Sequence, residues 1–554
     1  MQTHIGRVGA FALGLTLAGG LGMARSAFAI ITPISCDQTT LAGIAPPNSF
    51  IDTAVPVAAV VGPPAVPAYC NVTGHYVDSL AGTTGSPNNV DFQLALPDPA
   101  VWNGKFLFLG NGGFAGSIQA DVTLGFPYAT AATDTGHQST SELDGSWALN
   151  NQLAQDDFGY RGVHFATLVS EDLSRSYYAN TVPTESYFDG CSDGGREALV
   201  EAEQFPTDFN GIIAGDPAIG TLLPGFNWNY QALFKTIDSW IPADKLQMVD
   251  QAVMNECDTK DGVIDGLIQD PRKCAFDPAT LKCPASDPTP DTDPTCLSKG
   301  QVQALKAIYK GLVTKKGVQV YPGYTQSDPG EDLDSLSDAT GWGEWITGLV
   351  RPTIPVPVNG EPWGGSLLAS PLQWSFQDQE LKYFFANSAS YDSLTFDVNT
   401  DLARFLETST VGGSQGDNAR ALRNFQREGG KLIMYHGWSD PAVSPLESVR
   451  FYHNQLIGNV FSGNATAVRR FARLFMVPGM HHCGGGPGPN VFDMLAPLDN
   501  WVTHGKAPDS VVAMHYSEND PTTFIDRSMP LCAFPETAHL IGGNVFVASS
   551  WKCF

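Results

Sequence analysis

Short apolar runs closed by glycine, proline or acidic residues recur along most of the chain. VDFQLALP (90–97) and KFLFLGNGG (105–113) have the apolar density of strands that end in turns. SYFDGCSDGGREALVEAEQFP (186–206) passes from an apolar run, through glycines, into a helical spacing. FNGIIAGDPA (209–218) then reads as a buried strand. Strand, turn, helix and strand in this order predict a parallel α/β sheet. The rhythm returns in GGKLIMYHGWSD (429–440) and RRFARLFMVPGMHHC (469–483), and closes with the helix-like FDMLAPLDNWVTHGKAP (492–508).

From about residue 219 to about 420 the pattern changes. This block carries four cysteines, an Asp-rich loop, many aromatics and the Pro-rich stretch RPTIPVPVNGEPWGG. It reads as an insertion into one discontinuous α/β core, whose parts are 30–218 and 421–554. Residues 36–75, rich in Pro, Val and Ala, are expected to form an N-terminal edge segment. The first 29 residues read as an export signal: Arg7, the apolar run VGAFALGLTLAGGLGM, and a small-x-small site at Ala27-Phe28-Ala29. No later stretch approaches ~20 uninterrupted apolar residues, so a soluble, secreted or periplasmic protein is expected.

Composition narrows the partners. Hydrophobic residues make up 43% and charged residues 16%, as in an ordinary globular protein among the 554-residue class that exceeds one simple core. A net charge of −26 repels phosphate backbones and anionic lipid headgroups, which argues against nucleic acid and membrane surfaces, and it suits a hard cation. The ten cysteines of an exported chain read as disulfides. Sequence neighbours suggest Cys36–Cys70, Cys257–Cys274, Cys283–Cys296 and Cys532–Cys553, which leaves Cys191 and Cys483. No CxxC pair occurs, so zinc is a poor reading.

Gly190-Cys191-Ser192-Asp193-Gly194 fits G-x-S-x-G, a sharp strand-to-helix turn that exposes a serine. A serine hydroxyl needs a base oriented by an acid, and in α/β-hydrolases the chain order is Ser, acid, His. Asp440 follows a late strand, and His481 and His482 follow a later one. Bridged cysteines have Cα atoms ~4.4–6.8 Å apart. A Cys191–Cys483 bridge would therefore bring their neighbours Ser192 and His482 together, and it favours His482 over His481.

YFDGCSDGGR, YHGWSDPAVSP and VPGMHHCGGG resemble the three signature blocks of the tannase/feruloyl esterase family, which also contains a mono(2-hydroxyethyl) terephthalate hydrolase. WNGKFLFLGNGGFAG, TDTGH, DFGYRGVH and LDNWVTHGKAP extend the resemblance over nearly the whole mature chain. It implies an α/β-hydrolase core with a large inserted lid, a Ser192, Asp440 and His482 triad, and a Cys191–Cys483 bridge. An oxyanion hole should combine the backbone N–H of Asp193 with one from the loop FLGNGGFAG. There the resemblance points to Gly113 or its neighbour Gly112.

In CDTKDGVIDGLIQDPRKC, Asp258, Asp261 and Asp265 are spaced to curl round one cation, or to form a solvated turn. The EF-hand order is absent. The resemblance implies calcium in the lid, held by those side chains and the carbonyls of Val263 and Leu267, and clamped by Cys257–Cys274. It further implies galloyl, feruloyl or related aromatic esters as substrates. Trp342, Trp345, Trp363, Trp374, Phe376 and Phe384 could build a flat pocket for the aryl group. Alternatives are a terephthalate monoester hydrolase, a non-catalytic phenolic- or carbohydrate-binding protein on the same fold, and acyl transfer to an alcohol.

Overall fold

The structure, a computed structural model, describes residues 33–62, 65–78, 88–287, 289–327, 330, 341–357, 360–365, 367, 369–408 and 415–554. The expected export signal lies outside the described residues. Among the described residues, no helix is long and apolar enough to cross a membrane.

Nine strands build one sheet: β1 (Ser49–Val57), β2 (Tyr69–Asp78), β3 (Asn88–Pro97), β4 (Phe106–Leu109), β5 (Ala129–Thr133), β6 (Ser186–Cys191), β7 (Gly211–Gly215), β8 (Lys431–Gly437) and β9 (Ala472–Val477). Their spatial order is β1-β2-β3-β5-β4-β6-β7-β8-β9. From β5 to β9 every neighbouring pair is parallel. β1, β2 and β3 extend that sheet with antiparallel pairings, and β3 also joins β5 antiparallel. The sheet is therefore mixed, where the sequence rhythm predicts a parallel one. Strand direction leaves no mark on apolar spacing, so only the connections reveal it.

The central strands read as near-continuous apolar runs because both faces are covered. Leu432 pairs with Ile212, and Ile433 pairs with Ile213. Leu432 and Ile212 join Phe108, Phe188, Leu199 and Met434 in one core, while Ile433 and Ile213 join Tyr187, Leu498 and Trp501 on the other face. The strand expected at 90–97 begins two residues earlier, and β1 forms the outer edge.

Between β7 and β8 the chain builds a largely helical block with its own apolar core. Helices Leu222–Leu233, Ala243–Cys257, Lys299–Lys310 and Leu372–Gln379 contribute to it. Tyr230, Leu246, Val253, Leu305, Trp342 and Trp374 pack together there. Ser298 starts the third of these helices with a capping box, its Oγ accepting the Gln301 N–H and its own N–H donating to Gln301 Oε1. Beyond the last expected helix, which forms at Leu495–His504, the chain adds a hairpin of Ser510–Tyr516 and Ile525–Cys532. The parallel strands end on the side where β6, β8 and β9 hand over to the three signature blocks, the usual place for a site in an α/β sheet.

Candidate active site

β6 ends at Cys191 and the helix Asp193–Gln204 begins two residues later, so Ser192 makes the turn alone. Its backbone sits at φ 64°, ψ −120°, a conformation a side-chain-bearing residue adopts only when its surroundings enforce it. Two glycines let the chain cross itself there. A Cβ on Gly190 would come 2.5 Å from the Gly194 carbonyl oxygen, and one on Gly195 2.4 Å from that of Gly215. The Ser192 N–H donates to that same Gly215 carbonyl at 2.9 Å.

Ser192, Asp440 and His482 meet. The Ser192 Oγ–H donates to His482 Nε2 at 2.7 Å, and His482 Nδ1–H donates to Asp440 Oδ2 at 2.8 Å. Asp440 lies in the loop after β8, and its Oδ1 accepts the N–H groups of Ala442 at 2.7 Å and Val443 at 2.9 Å. Burial alone would raise the Asp440 carboxyl, but the charge and N–H of His482 and the N–H of His436 outweigh it and hold it well below the carboxylate range. Burial would lower His482; the Asp440 carboxylate, then Asp216, reverse that and raise it. His481 is buried instead against the Gly484–Gly486 turn, its N–H donating to the Gly485 carbonyl at 3.2 Å.

Cys191 and Cys483 form a disulfide with Cα atoms 6.0 Å apart across 292 residues of chain. The other four bridges are Cys36–Cys70, Cys257–Cys274, Cys283–Cys296 and Cys532–Cys553, with no cysteine left free. Beside the serine, the Asp193 N–H opens the following helix without an acceptor among the described residues. The Gly113 N–H, at φ 59°, is likewise unspent among them, whereas the Gly112 N–H donates to Gln119 Oε1 at 3.0 Å. Of the two loop glycines, Gly113 is the one with an N–H to offer.

A family profile, tannase and feruloyl esterase, matches residues 70–554. The chain belongs to the tannase and feruloyl esterase family. An uncharacterised esterase of Xanthomonas campestris is 33% identical, with 96% of this chain and 91% of that protein covered. The mono(2-hydroxyethyl) terephthalate hydrolase of Piscinibacter sakaiensis is 30% identical, over 88% of this chain and 85% of its own. Among solved structures, feruloyl esterase B from Aspergillus oryzae superposes with a TM-score of 0.76 at 23% identity, covering 94% of this chain and 99% of that one. That likeness shows the α/β-hydrolase fold. As a member of this esterase family the protein is a carboxylic ester hydrolase.

The esterase's six named aromatics divide. Trp342 and Trp374 are buried in the core of the helical block and Trp363 packs on it. Phe384 is buried with Phe114 and Phe158 beneath the Gly-rich loop. Trp345 and Phe376 are half-buried: the Trp345 ring meets His482 edge-on at 5.0 Å, and Phe376 stacks on Trp345 at 6.3 Å. Phe114 meets Phe376 at 5.3 Å, so a line of rings joins the Gly-rich loop to His482.

The acidic loop lies at the end of helix Ala243–Cys257. Asp258 accepts the N–H groups of Asp265 at 3.4 Å and Gly266 at 3.3 Å, and Asp261 those of Val263 at 3.0 Å and Gln269 at 3.3 Å. Asp265 accepts the Leu267 N–H at 3.2 Å and faces Arg527 at 3.4 Å. Burial raises Asp261 and Asp265, the latter to about 6, and in each case neighbouring aspartates add to the rise. Asp261 and Asp258 thus bear on Asp265, and Arg527 offsets them.

Three residues that no sequence motif singled out adjoin this site: Asp216, His436 and Glu197. Glu197 is buried and accepts the Asn111 N–H at 3.0 Å, supporting the loop that carries Gly113 from below. Asp216 directly follows the strand residues GIIAG, and a carboxylate at the carboxyl end of a parallel strand is itself a site signal.

Proposed function

We propose that this esterase hydrolyses esters of aromatic carboxylic acids through an acyl-enzyme on Ser192. The observation that carries the reading is the continuous line from Ser192 Oγ through His482 to Asp440. His482 takes the serine proton as Oγ attacks the ester carbonyl. The developing oxyanion is met by the unspent N–H groups of Asp193 and Gly113. His482 then gives its proton to the departing alcohol, and next activates the water that releases the acid. Asp440, with four N–H donors on its two oxygens, stays ionised and steadies the imidazolium.

The half-buried Trp345 beside His482, with Phe376 stacked on it, supports a flat aryl group on the acyl side. The named activities of the relatives, feruloyl esterase B and a terephthalate monoester hydrolase, agree in asking for an aryl acid. A fluorophosphonate probe tests the mechanism: labelling of the native enzyme that disappears in Ser192→Ala supports it, and an unlabelled native protein supports a non-catalytic binder. Methyl ferulate, methyl gallate and mono(2-hydroxyethyl) terephthalate assayed side by side decide the acyl group. Faster cleavage of the third selects the monoester reading, and product analysis with added alcohol separates hydrolysis from acyl transfer.

The loop of Asp258, Asp261 and Asp265 is read as a calcium site that stiffens the helical block. Three carboxylates within a disulfide-closed loop, with Asp261 and Asp265 raised by burial and by their acidic neighbours, fit a hard cation, with the carbonyls of Val263 and Leu267 as further oxygens. Calcium should raise Tm of the chelator-treated enzyme, and Asp261→Asn should abolish the rise; equal Tm with and without calcium would remove the site. Export is the reading of the N-terminal stretch together with five disulfides.

A further inference from the structure

Beneath the line of Ser192, His482 and Asp440 lies a second buried pair, Asp216 and His436, that takes no proton in the reaction above. Asp216 is fully buried, directly after β7, with its backbone in the left-handed region at φ 37°. Its Oδ1 accepts the Gly437 N–H at 2.8 Å and lies 3.7 Å from His436 Nε2. Its Oδ2 accepts the Cys483 N–H at 3.3 Å and lies 3.4 Å from Cys191 Sγ. One carboxylate thus touches the end of the acid's strand, the residue after the base, and the disulfide next to the serine. Ser192 and Cys483 are left-handed as well, at φ 64° and 60°. Two strained residues thus adjoin a buried carboxylate whose own backbone is strained, which is where enforced geometry needs an anchor.

His436 completes the pair. Its Nε2 lies 3.1 Å from both Asp440 Oδ2 and the Val443 carbonyl oxygen. A carbonyl can only accept, so Nε2 carries a proton in either charge state and donates to Asp440. Nδ1 faces Ser448 Oγ at 2.8 Å. Asp440 Oδ2 is therefore held between two imidazoles, one that moves protons and one that does not.

We infer that Asp216 and His436 are positioning residues for the Ser192–His482–Asp440 group, Asp216 anchoring the Cys483 backbone and biasing the charge of His482, His436 fixing Asp440 and countering Asp216. This rests on the ester-hydrolase reading of that group. The charged and titratable groups that face the pair are few. His482 feels Asp440 and Asp216. His436 feels Asp216 and Asp440, and in turn acts on Glu447. Tyr435 lies towards Asp216, while Tyr321 and Tyr324 lie towards Asp440, and burial raises all three so that they stay neutral. Burial, then the Asp440 charge, push Asp216 up, and His436, His482 and the Gly437 N–H pull it back. Ionised, Asp216 helps His482 keep its proton. Without that charge His482 releases its proton at lower pH.

The experiment compares pH profiles of kcat/KM for an aryl ester. Asp216→Asn keeps the shape of the side chain and an acceptor for one backbone N–H, but loses the charge. Its acid limb should move down by about half a pH unit or more, and kcat should fall about tenfold with KM unchanged. His436→Gln should behave alike: its amide can still donate to Asp440, but without the imidazole that pulls Asp216 down, Asp216 stays protonated to higher pH. A merely structural role would lower the amount of folded enzyme and leave the limb in place. An acid limb superimposable on the native one in a folded Asp216→Asn or His436→Gln enzyme, with the Cys191–Cys483 bridge intact, overturns the inference. Fluorophosphonate labelling of native Ser192 keeps the two readings apart, since its failure sinks the mechanism, whereas labelled native enzyme with unshifted variants sinks only the pair.

Discussion

At the scale of single residues, Asp440 is defined by what its two oxygens accept. Oδ1 of Asp440 takes two backbone N–H groups and Oδ2 takes two imidazole N–H groups. Asp440→Asn keeps the volume but turns one oxygen into a donor, so a donor must face a donor and His482 is driven to the wrong tautomer. kcat on methyl ferulate should fall by about 10³–10⁴ with little change in KM; a loss below tenfold would show that Asp440 does not orient the base. Ser192, Asp440 and His482 were legible in the sequence because a tight Gly-rich turn and a fixed chain order leave local marks. The choice between His481 and His482 was not written in the histidines, but in the cysteine beside one of them. Asp216 and His436 escaped because their roles exist only where strands from positions 216 and 436 lie side by side. The choice between Gly112 and Gly113 likewise depended on Gln119, whose amide takes up one N–H and leaves the other.

At the scale of elements, a strand-end turn and a loop after another strand are tied by one covalent bond. Closing a loop of 292 residues stabilises the folded state by at most about 5–6 kcal/mol in the chain-entropy picture, less where the sheet already holds the ends together. β6 and β9 are separated in the sheet by β7 and β8, so the bridge does not build the fold so much as set the distance between two loops that rise from it. Replacing Cys191 and Cys483 together by serine should therefore cut kcat at least tenfold in enzyme that still folds, as judged by near-UV circular dichroism at 25 °C. Unchanged kcat in a folded double variant would reduce the bridge to a stability device. The strands were legible where burial on both faces makes them continuous apolar runs, as in GIIAG and ARLFMV. The antiparallel pairing of β1 to β3 was not, and neither was the late hairpin, whose strands SVVAMHY and IDRSMPLC mix exposed and buried positions unevenly.

At the scale of the whole molecule, an excess of acidic groups, 57 against 31 basic, meets a core that holds some of them out of water. Glu197, Glu201 and Asp134 are buried, and burial, with neighbouring carboxylates, pushes each of them up, while Glu171 rises to about 7. Such groups keep a proton in the native state that the unfolded chain has already released. Their contribution is fully present below the ordinary carboxylate range and is lost as pH rises through the folded-state value, so stability falls from about pH 5 towards pH 8. Asp440 has the opposite sign, its contribution lost as pH falls below the ordinary range, so it adds to the loss of stability on the acid side. Glu197 gives the test, because Asn111 donates to its Oε2 and a glutamine oxygen can accept the same bond. Glu197→Gln should retain activity and remove one titrating proton, flattening the decline in unfolding free energy by about 1.4 kcal/mol per pH unit where the native group is still protonated. Urea unfolding at pH 5.5, 6.5 and 7.5 reads that slope. Equal slopes for the two proteins would mean that Glu197 is ionised when folded, and that the loop carrying Gly113 rests on a charge.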